Sequence, residues 1–244
     1  MTRNKLILLA VVAFAFLFLL VRPVTFIHHP QPEGMTSSPA YSPDVEKENC
    51  WQDENGQRAC VSEEVRKKLN CRTTREIPEI QNGVSPAYPI FICFVDRSSL
   101  DYGNKEMDYF YVTGGMLGAP IRYVAYIDGE FVLIKSEDEF RKVFAPITSP
   151  EEALAFTLAF MNVDAYYGLE YNLEYVYYIR TIEDTYVLEK GDGYLVHVFY
   201  REIFGCGPRN TYAVDVKVTR DGHVSELSRK AIFRNRADDG MCVD

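Results

Sequence analysis

The feature that most constrains this chain is an uninterrupted apolar run, Leu6–Val21, close to its N-terminus. Arg3 and Lys5 precede the run and Arg22 follows it. A basic flank ahead of an apolar run is typical of a secretory signal or a membrane anchor. The run is apolar on every side, which favours a lipid-facing helix over a core helix with a polar face. Residues 6–22 are therefore predicted to be a transmembrane segment, at the short end of the roughly 17–25 residues that cross a bilayer.

The residues just after this run decide whether the segment is cleaved. Signal cleavage needs small side chains there, and residues 22–27 offer none at suitable positions. An uncleaved single-pass anchor is the favoured interpretation, and secretion after signal cleavage is the alternative. Basic residues mark the cytoplasmic side of a membrane segment, so residues 1–5 should form a cytoplasmic tip. The remaining chain should then be extracytoplasmic.

The rest of the chain has a globular composition and is strongly acidic. Of its 244 residues, 47% are hydrophobic and 25% are charged, which suits one ordinary domain. Three of the 26 basic residues and none of the 35 acidic ones lie in the first 22 positions, so the remainder has a net charge of −12. A surface this negative repels phosphate backbones, so we expect no nucleic-acid partner.

A proline-rich stretch follows the apolar segment. Residues 23–48 contain five prolines together with Ser, Thr and Gly, a composition that buries too little surface to fold and predicts a spacer. His28 and His29 lie in this stretch. No cysteine or carboxylate cluster accompanies them, so we expect no metal site there.

Cysteines beyond the spacer predict a disulfide-bonded domain. There are six, at Cys50, Cys60, Cys71, Cys93, Cys206 and Cys242. An even number in an exported chain favours disulfides, and the wide spacing disfavours a zinc ribbon or a redox pair. A turn at Glu54-Asn55-Gly56 would place Cys50 directly opposite Cys60 in a hairpin, within disulfide reach. The other pairings stay open.

Hairpin and helix signals then predict an α+β fold. Its expected core is an antiparallel sheet of hairpins and a meander, packed against one long and one short helix. Asp128-Gly129 is a two-residue hairpin turn that aligns Tyr126 with Phe131 and Val124 with Leu133. Both faces of this hairpin are apolar, so it should be central and covered on both sides. The predicted organisation is a cytoplasmic tip (1–5), an anchor or signal segment (6–22), a spacer (23–48), a Cys-containing hairpin and connection (49–87) and an α+β domain (88–244).

Two helices begin at capping signals. Ser136 and Glu139 form a capping box ahead of a short helix that runs to Phe144. The sequence Ser149-Pro150-Glu151-Glu152 begins a longer helix that extends to about Val163. The predicted inner face of this helix consists of Ala153, Phe156, Phe160 and Val163. A helix with so apolar a face should pack against a sheet.

The last third of the chain is predicted to form antiparallel strands. They are expected near 173–180, 185–190, 194–203, 211–219 and 224–233. A turn at Asp221-Gly222 would align Val216 with Leu227 and Lys217 with Glu226, giving one apolar and one wet face. A helix followed by a meander resembles the element order of cystatin-like folds, which by itself implies no activity.

Signatures of catalysis and of cofactor binding are absent from the sequence. There is no H-E-x-x-H, no phosphate-binding loop and no G-x-G-x-x-G, so we predict no catalytic residue, no metal and no cofactor. His223 flanks a turn and should be exposed. His197 lies in an apolar strand, where a hydrogen-bonded core histidine is favoured over a catalytic base. A thiol site of Cys93 and His197 is the alternative, against which disulfide use of Cys93 argues.

Tyrosines crowd the region after the long helix and supply the candidate binding residues. They are Tyr166, Tyr167, Tyr171, Tyr175, Tyr177 and Tyr178, of which the first three are the binding candidates. Tyrosine offers contact area and a polar tip, although it is also a good strand residue. We expect a membrane-tethered, non-catalytic binding or interaction domain for an unknown protein or small ligand. The alternatives are an extracytoplasmic enzyme with an unrecognised carboxylate site, and a modulator or inhibitor of an envelope protease.

Overall fold

The computed structural model of the chain describes residues 23–32, 49–52, 58–76, 84, 88, 90–95, 109–113 and 118–243. These residues form mostly antiparallel β-sheets with a few helices, so the fold is a β-rich member of the predicted α+β class. The predicted membrane segment, residues 6–22, lies outside the described residues. Within the described ranges, none of the helices combines the length and the apolar character that crossing a bilayer requires.

The elements have the following bounds. The described strands are β1 (Thr25–Ile27), β2 (Asn49–Gln52), β3 (Arg58–Val61), β4 (Cys71–Glu76), β5 (Ile90–Val95), β6 (Tyr111–Thr113), β7 (Ala119–Ile127), β8 (Glu130–Ile134), β9 (Tyr175–Tyr177), β10 (Thr181–Glu183), β11 (Tyr186–Lys190), β12 (Gly193–Arg201), β13 (Gly205–Cys206), β14 (Asn210–Thr219), β15 (Val224–Asn235) and β16 (Cys242–Val243). The helices are α1 (Glu63–Lys68), α2 (Glu137–Phe144) and α3 (Pro150–Met161), and a 3-10 turn covers Arg236–Asp238.

Two sheets enclose helix α3. The first sheet has the order β4-β5-β7-β6, with β8 beside β6 on the same edge of β7. The second has the order β11-β12-β14-β15-β9. One apolar core joins both sheets to α2 and α3. Helix α3 is consequently buried from Ala153 through Ala159, which explains why apolar residues surround it on nearly every side.

The two predicted helix starts are confirmed, and both are capping boxes. The Ser136 and Ser149 hydroxyls each accept a hydrogen bond from the backbone N–H of the glutamate three residues later, at 3.2 Å in both cases. Each glutamate carboxylate in turn accepts from the backbone N–H just ahead of the serine, at 2.6 Å. These reciprocal bonds satisfy amides that a helix start leaves unpaired. Local sequence therefore determines where α2 and α3 begin.

The predicted hairpin at Asp128-Gly129 is also confirmed. Both turn residues have positive φ, at 50° and 87°, and β7 and β8 pair in the predicted register. Tyr123 of β7 faces the main core, while Val124 faces a second cluster built with β3, β4 and α1. Strand β7 is therefore covered on both faces. The prediction that the whole hairpin is central and covered on both sides is wrong for β8, which pairs only with β7 among the described strands and exposes Val132.

The register predicted for the β14–β15 hairpin is wrong by one residue near the turn. Val216 pairs with Glu226 instead of Leu227, and Lys217 shifts in the same direction. The turn spans Thr219–His223 rather than two residues, with a hydrogen bond from the first N–H to the last carbonyl at 2.9 Å. A β-bulge at Leu227 then restores the predicted alignment, and this side chain is exposed.

Disulfides link neighbouring strands in both halves of the structure. Cys71–Cys93 joins β4 to β5, and Cys206–Cys242 joins β13 to β16. Cys93 therefore has no free thiol for a site with His197. In the β2–β3 hairpin, the backbones of Cys50 and Cys60 lie opposite each other as predicted, and the covalent bond between them stays a prediction. Disulfides are typical of an oxidising compartment, which indicates an extracytoplasmic or secreted location.

Part of the predicted spacer is instead a strand. Thr25–Ile27 pairs in parallel with Thr181–Glu183 of β10. Phe26 packs edge-on against Tyr177 with ring centroids 6.2 Å apart, and Val24 joins the same apolar cluster. Composition predicts no structure here because the surface that Val24 and Phe26 cover is supplied by residues far along the chain. Folding of this segment is therefore a tertiary effect.

Candidate functional site

A cavity of about 290 Å³ lies at one end of the second sheet. We call it the arginine cavity, and its lining residues are Tyr166, Leu169, Tyr175, Arg201, Arg209, Thr211, Phe233, Asn235 and Asp238. Strand register explains why several of them meet. Arg201 of β12 pairs with Thr211 of β14, and Thr211 pairs with Phe233 of β15. Directly opposed residues share one face of a sheet, so these three side chains form a row across three strands.

Aromatic rings form the apolar wall of the cavity. Tyr175 stacks on Phe233 with ring centroids 4.7 Å apart, and Tyr166 lies against Phe199 at 4.9 Å. Burial, together with the smaller effect of the nearby Asp164 carboxylate, raises the pKa of Tyr166 to about 12. The Tyr166 hydroxyl therefore stays protonated at neutral pH and donates to Asp164 at 3.4 Å. The wall thus combines flat apolar surfaces with neutral hydroxyl groups.

Two arginines give the cavity its polar character. A terminal nitrogen of Arg209 donates to the Ile203 carbonyl at 3.0 Å. The Nε and the other terminal nitrogen of Arg209 are buried, and no partner for them is found in the part of the chain that the structure describes. Across those same residues, neither Arg201 nor Arg209 forms an ion pair with a carboxylate. Buried guanidinium nitrogens without partners are unfavourable, and a carboxylate or phosphate could satisfy two of them at once.

The segments on either side of the cavity are covalently connected. Cys206 lies shortly before Arg209, and its partner Cys242 lies shortly after Asp238, with their α-carbons 4.1 Å apart. Strands β13 and β16 pair beside this bond, and an ion pair joins Arg234 to the neighbour of Asp238. The loop that carries Arg209 is therefore held against the C-terminal segment. Such preorganisation reduces the entropy that ligand binding would otherwise lose.

The three predicted tyrosine candidates lie in different surroundings. Tyr166 lines the arginine cavity. Tyr167 is half-buried, and burial together with the Asp184 charge raises its pKa to about 12. Tyr171 is 58% exposed and stacks on Tyr177 with centroids 5.3 Å apart. The structure therefore brings only the first of the three into the cavity.

Sequence reasoning missed the charged residues of the cavity. Arg201, Arg209 and Asp238 belong to three segments that meet through strand pairing and through the Cys206–Cys242 bond. The cysteine pairing was the signal that could have joined two of these segments. With the pairing open, nothing in the sequence placed Arg209 near Asp238.

A second polar cluster surrounds His197. This residue is 9% exposed, its Nδ1 lies 2.7 Å from an Asp215 carboxylate oxygen, and Tyr186 stacks on its ring at 4.9 Å. Ser228 donates to the other oxygen of Asp215 at 2.7 Å, so the serine bonds the carboxylate rather than the imidazole. His197 thus has the hydrogen bond expected of a core histidine. His223 is exposed as predicted.

A buried carboxylate connects β1 to the tyrosine-rich loop. Asp184 is 1% exposed at its side chain and accepts hydrogen bonds from the Gly168 N–H at 2.9 Å and the Leu169 N–H at 3.2 Å. His28 Nδ1 lies 3.0 Å from the same carboxylate. Asp184 therefore joins three segments that are distant in sequence. Among the described residues, no group of three or more His, Cys, Asp or Glu is arranged to hold a metal ion.

Comparison with known proteins provides no relative for this chain: no family model, no curated protein and no solved structure matches it. The function of the site must therefore be inferred from its own residues.

Proposed function

We propose that this chain is a non-catalytic binding domain, held outside the cytoplasm by residues 6–22, and that its arginine cavity binds a small anionic ligand. The observation that carries the proposal is the pair of arginines without carboxylate partners among the described residues, one of them with two buried, unbonded nitrogens. A site that keeps the Arg209 guanidinium group partly desolvated and without a carboxylate partner among the described residues, with Arg201 beside it, is suited to bind an anion.

The net charge of the chain and the volume of the cavity limit the kind of ligand that can bind. The chain beyond residue 22 has a net charge of −12, which repels extended polyanions. A small anion can still reach the local positive charge of Arg201 and Arg209. The volume of about 290 Å³ is at the lower limit of ordinary ligand sites, roughly 300–1,000 Å³. Tyr175 and Phe233 supply a flat apolar surface for the uncharged part of such a ligand.

Benzoate is a suitable first probe because it combines a carboxylate with a flat apolar ring. We expect calorimetric titration of the full-length chain in detergent micelles to detect benzoate binding, and Arg209→Gln to weaken it about tenfold or more. Losing a hydrogen bond to a charged group costs about 1.5–3 kcal/mol. Arg72→Gln, at an exposed arginine on β4, is the matched control and should bind as the wild type does. Equal affinity in wild type and Arg209→Gln would contradict the proposal.

Strand β1 bears on how the domain would be held at the membrane. It begins at Thr25, within a few residues of Arg22, and is already paired with β10. A domain anchored by residues 6–22 would therefore lie close to the bilayer surface. Residues 33–48 would connect two points of the domain instead of separating it from the membrane.

The tether can be tested by fractionation. The full-length chain should remain with membranes after a high-salt wash, because an apolar helix rather than surface charge would hold it. Protease added to intact cells or spheroplasts should degrade the domain. Recovery of a soluble mature protein that begins after residue 22 would contradict the anchor and favour the secreted alternative.

A further inference from the structure

The arginine cavity contains an acidic group as well as its two arginines. Asp238, on the 3-10 turn after β15, lines the cavity together with Arg201 and Arg209. Within the described ranges, Asp238 takes part in no ion pair. Its neighbour Asp239 already pairs with Arg234. The cavity is therefore lined by one acidic and two basic side chains that form no ion pair with one another.

The covalent frame keeps these opposite charges in place. Arg209 follows Cys206 on one side of the disulfide, and Asp238 precedes Cys242 on the other. The Arg209 side chain is further oriented by its bond to the Ile203 carbonyl at 3.0 Å. Two unlike charges that line one small cavity without pairing leave room for a ligand that bonds to both.

We propose that the arginine cavity binds a small zwitterion, an α-amino acid or a molecule with the same two charged groups. The carboxylate of the ligand bonds to Arg209 and Arg201, and its ammonium group bonds to Asp238. This inference rests on the proposed function, an anion site, and adds that the ligand also carries a positive charge, which Asp238 binds. A simple anion would meet repulsion from Asp238, whereas a zwitterion turns that carboxylate into a partner.

The aromatic wall suits the same ligand. Tyr175 and Phe233 stack with centroids 4.7 Å apart, and the faces of aromatic rings attract ammonium groups. They also offer apolar contact to an amino-acid side chain. The Tyr166 hydroxyl is neutral and donates to the Asp164 carboxylate at 3.4 Å, so it does not repel the ammonium group.

Three related probes separate the two charges. We would titrate the full-length chain in micelles with L-phenylalanine, N-acetyl-L-phenylalanine and L-phenylalaninamide, which carry both charges, the carboxylate alone and the ammonium alone. We expect L-phenylalanine to bind most tightly and each of the others to bind about tenfold or more weakly, since each lacks one charge-assisted contact. Asp238→Asn should lower the affinity for L-phenylalanine about tenfold and leave that for the N-acetyl derivative unchanged or higher.

Asp128→Asn is the matched control. Asp128 lies exposed in the β7–β8 turn, on the other sheet, at a positive φ that asparagine tolerates. It should bind all three probes as the wild type does, and the thermal unfolding midpoint of Asp238→Asn should stay near that of this control.

Two results would overturn the inference in distinguishable ways. In the first, L-phenylalanine and its N-acetyl derivative bind equally well, and their binding is unaffected by Asp238→Asn but lost in Arg209→Gln. This result would support an anion site and contradict the proposal that the ligand is a zwitterion. In the second, neither benzoate nor any of the three probes binds at millimolar concentration. This result would contradict both the proposed function and the inference.

Discussion

Replacing Phe156 by alanine should lower the free energy of unfolding by about 3–5 kcal/mol, as expected for a fully buried phenylalanine. Phe156 is 0% exposed in the middle of α3. It stacks on Phe160 with centroids 5.5 Å apart and meets Phe140 edge-on at 5.1 Å. Truncation would leave a cavity in the core that joins both sheets to this helix. Against a total stability of roughly 5–15 kcal/mol, the loss should be obvious in urea denaturation followed by circular dichroism.

Two further substitutions test how the loss of stability depends on the burial of each side chain. Phe160 is only partly buried, so Phe160→Ala should cost less than Phe156→Ala although both residues belong to the face predicted from sequence. Tyr167 lies beyond the helix and is half-buried, so Tyr167→Ala should lower the free energy of unfolding even less than Phe160→Ala. A negligible loss at Phe156 would show that α3 is not the centre of the core. A loss at Tyr167 as large as that at Phe156 would place this tyrosine in the core.

The second large effect should come from Asp184→Asn, which we expect to cost about 3 kcal/mol at neutral pH. The carboxylate accepts from two backbone amides and lies within hydrogen-bond distance of His28. Hydrogen bonds to a charged group contribute about 1.5–3 kcal/mol each, and the amide of asparagine can replace only part of them. The substitution should also loosen β1, which can be followed by faster hydrogen exchange at Thr25–Ile27.

The contribution of Asp184 should depend on pH in a defined direction. Burial by itself raises the pKa of this carboxyl, but hydrogen bonds from Gly168, Leu169 and His28 outweigh it, and the pKa lies below its ordinary value. A carboxyl whose pKa is lower in the folded state stabilises the fold above its unfolded pKa of about 3.9. That stabilisation is lost as the pH falls through the folded pKa. The stability difference between wild type and Asp184→Asn should thus be full at pH 7 and shrink below about pH 4.

Urea denaturation of both proteins from pH 7 to pH 3 measures this difference. Asp128→Asn, at an exposed turn position, serves as the control and should differ little from wild type across the range. A difference between wild type and Asp184→Asn that stays constant down to pH 3 would show that the charge of Asp184 has no part in holding β1 and the loop.

Several elements of this fold were determined by short stretches of sequence. The starts of α2 and α3 follow from serine and glutamate at the spacing of a capping box. The β7–β8 register follows from Asp128-Gly129, because a two-residue turn with positive φ allows one alignment of its strands. The opposition of Cys50 and Cys60 was likewise predicted from a short stretch of sequence, and β2 and β3 pair in that register. In each case the residues that decide the structure lie within a few positions of one another, so the pattern can be read directly.

Other features were decided only by the tertiary structure. The pairing of Cys206 with Cys242, the docking of β1 on β10 and the arginine cavity each join residues that lie far apart along the chain. A bulge at Leu227 changes which side chains pair across β14 and β15. No local sequence pattern predicts this bulge. Contacts of this kind depend on how all the strands are aligned at once, whereas hydrophobic periodicity and turn chemistry act over a few residues. That is why the sequence alone pointed to tyrosines, while the charges of the candidate site came from the assembled sheet.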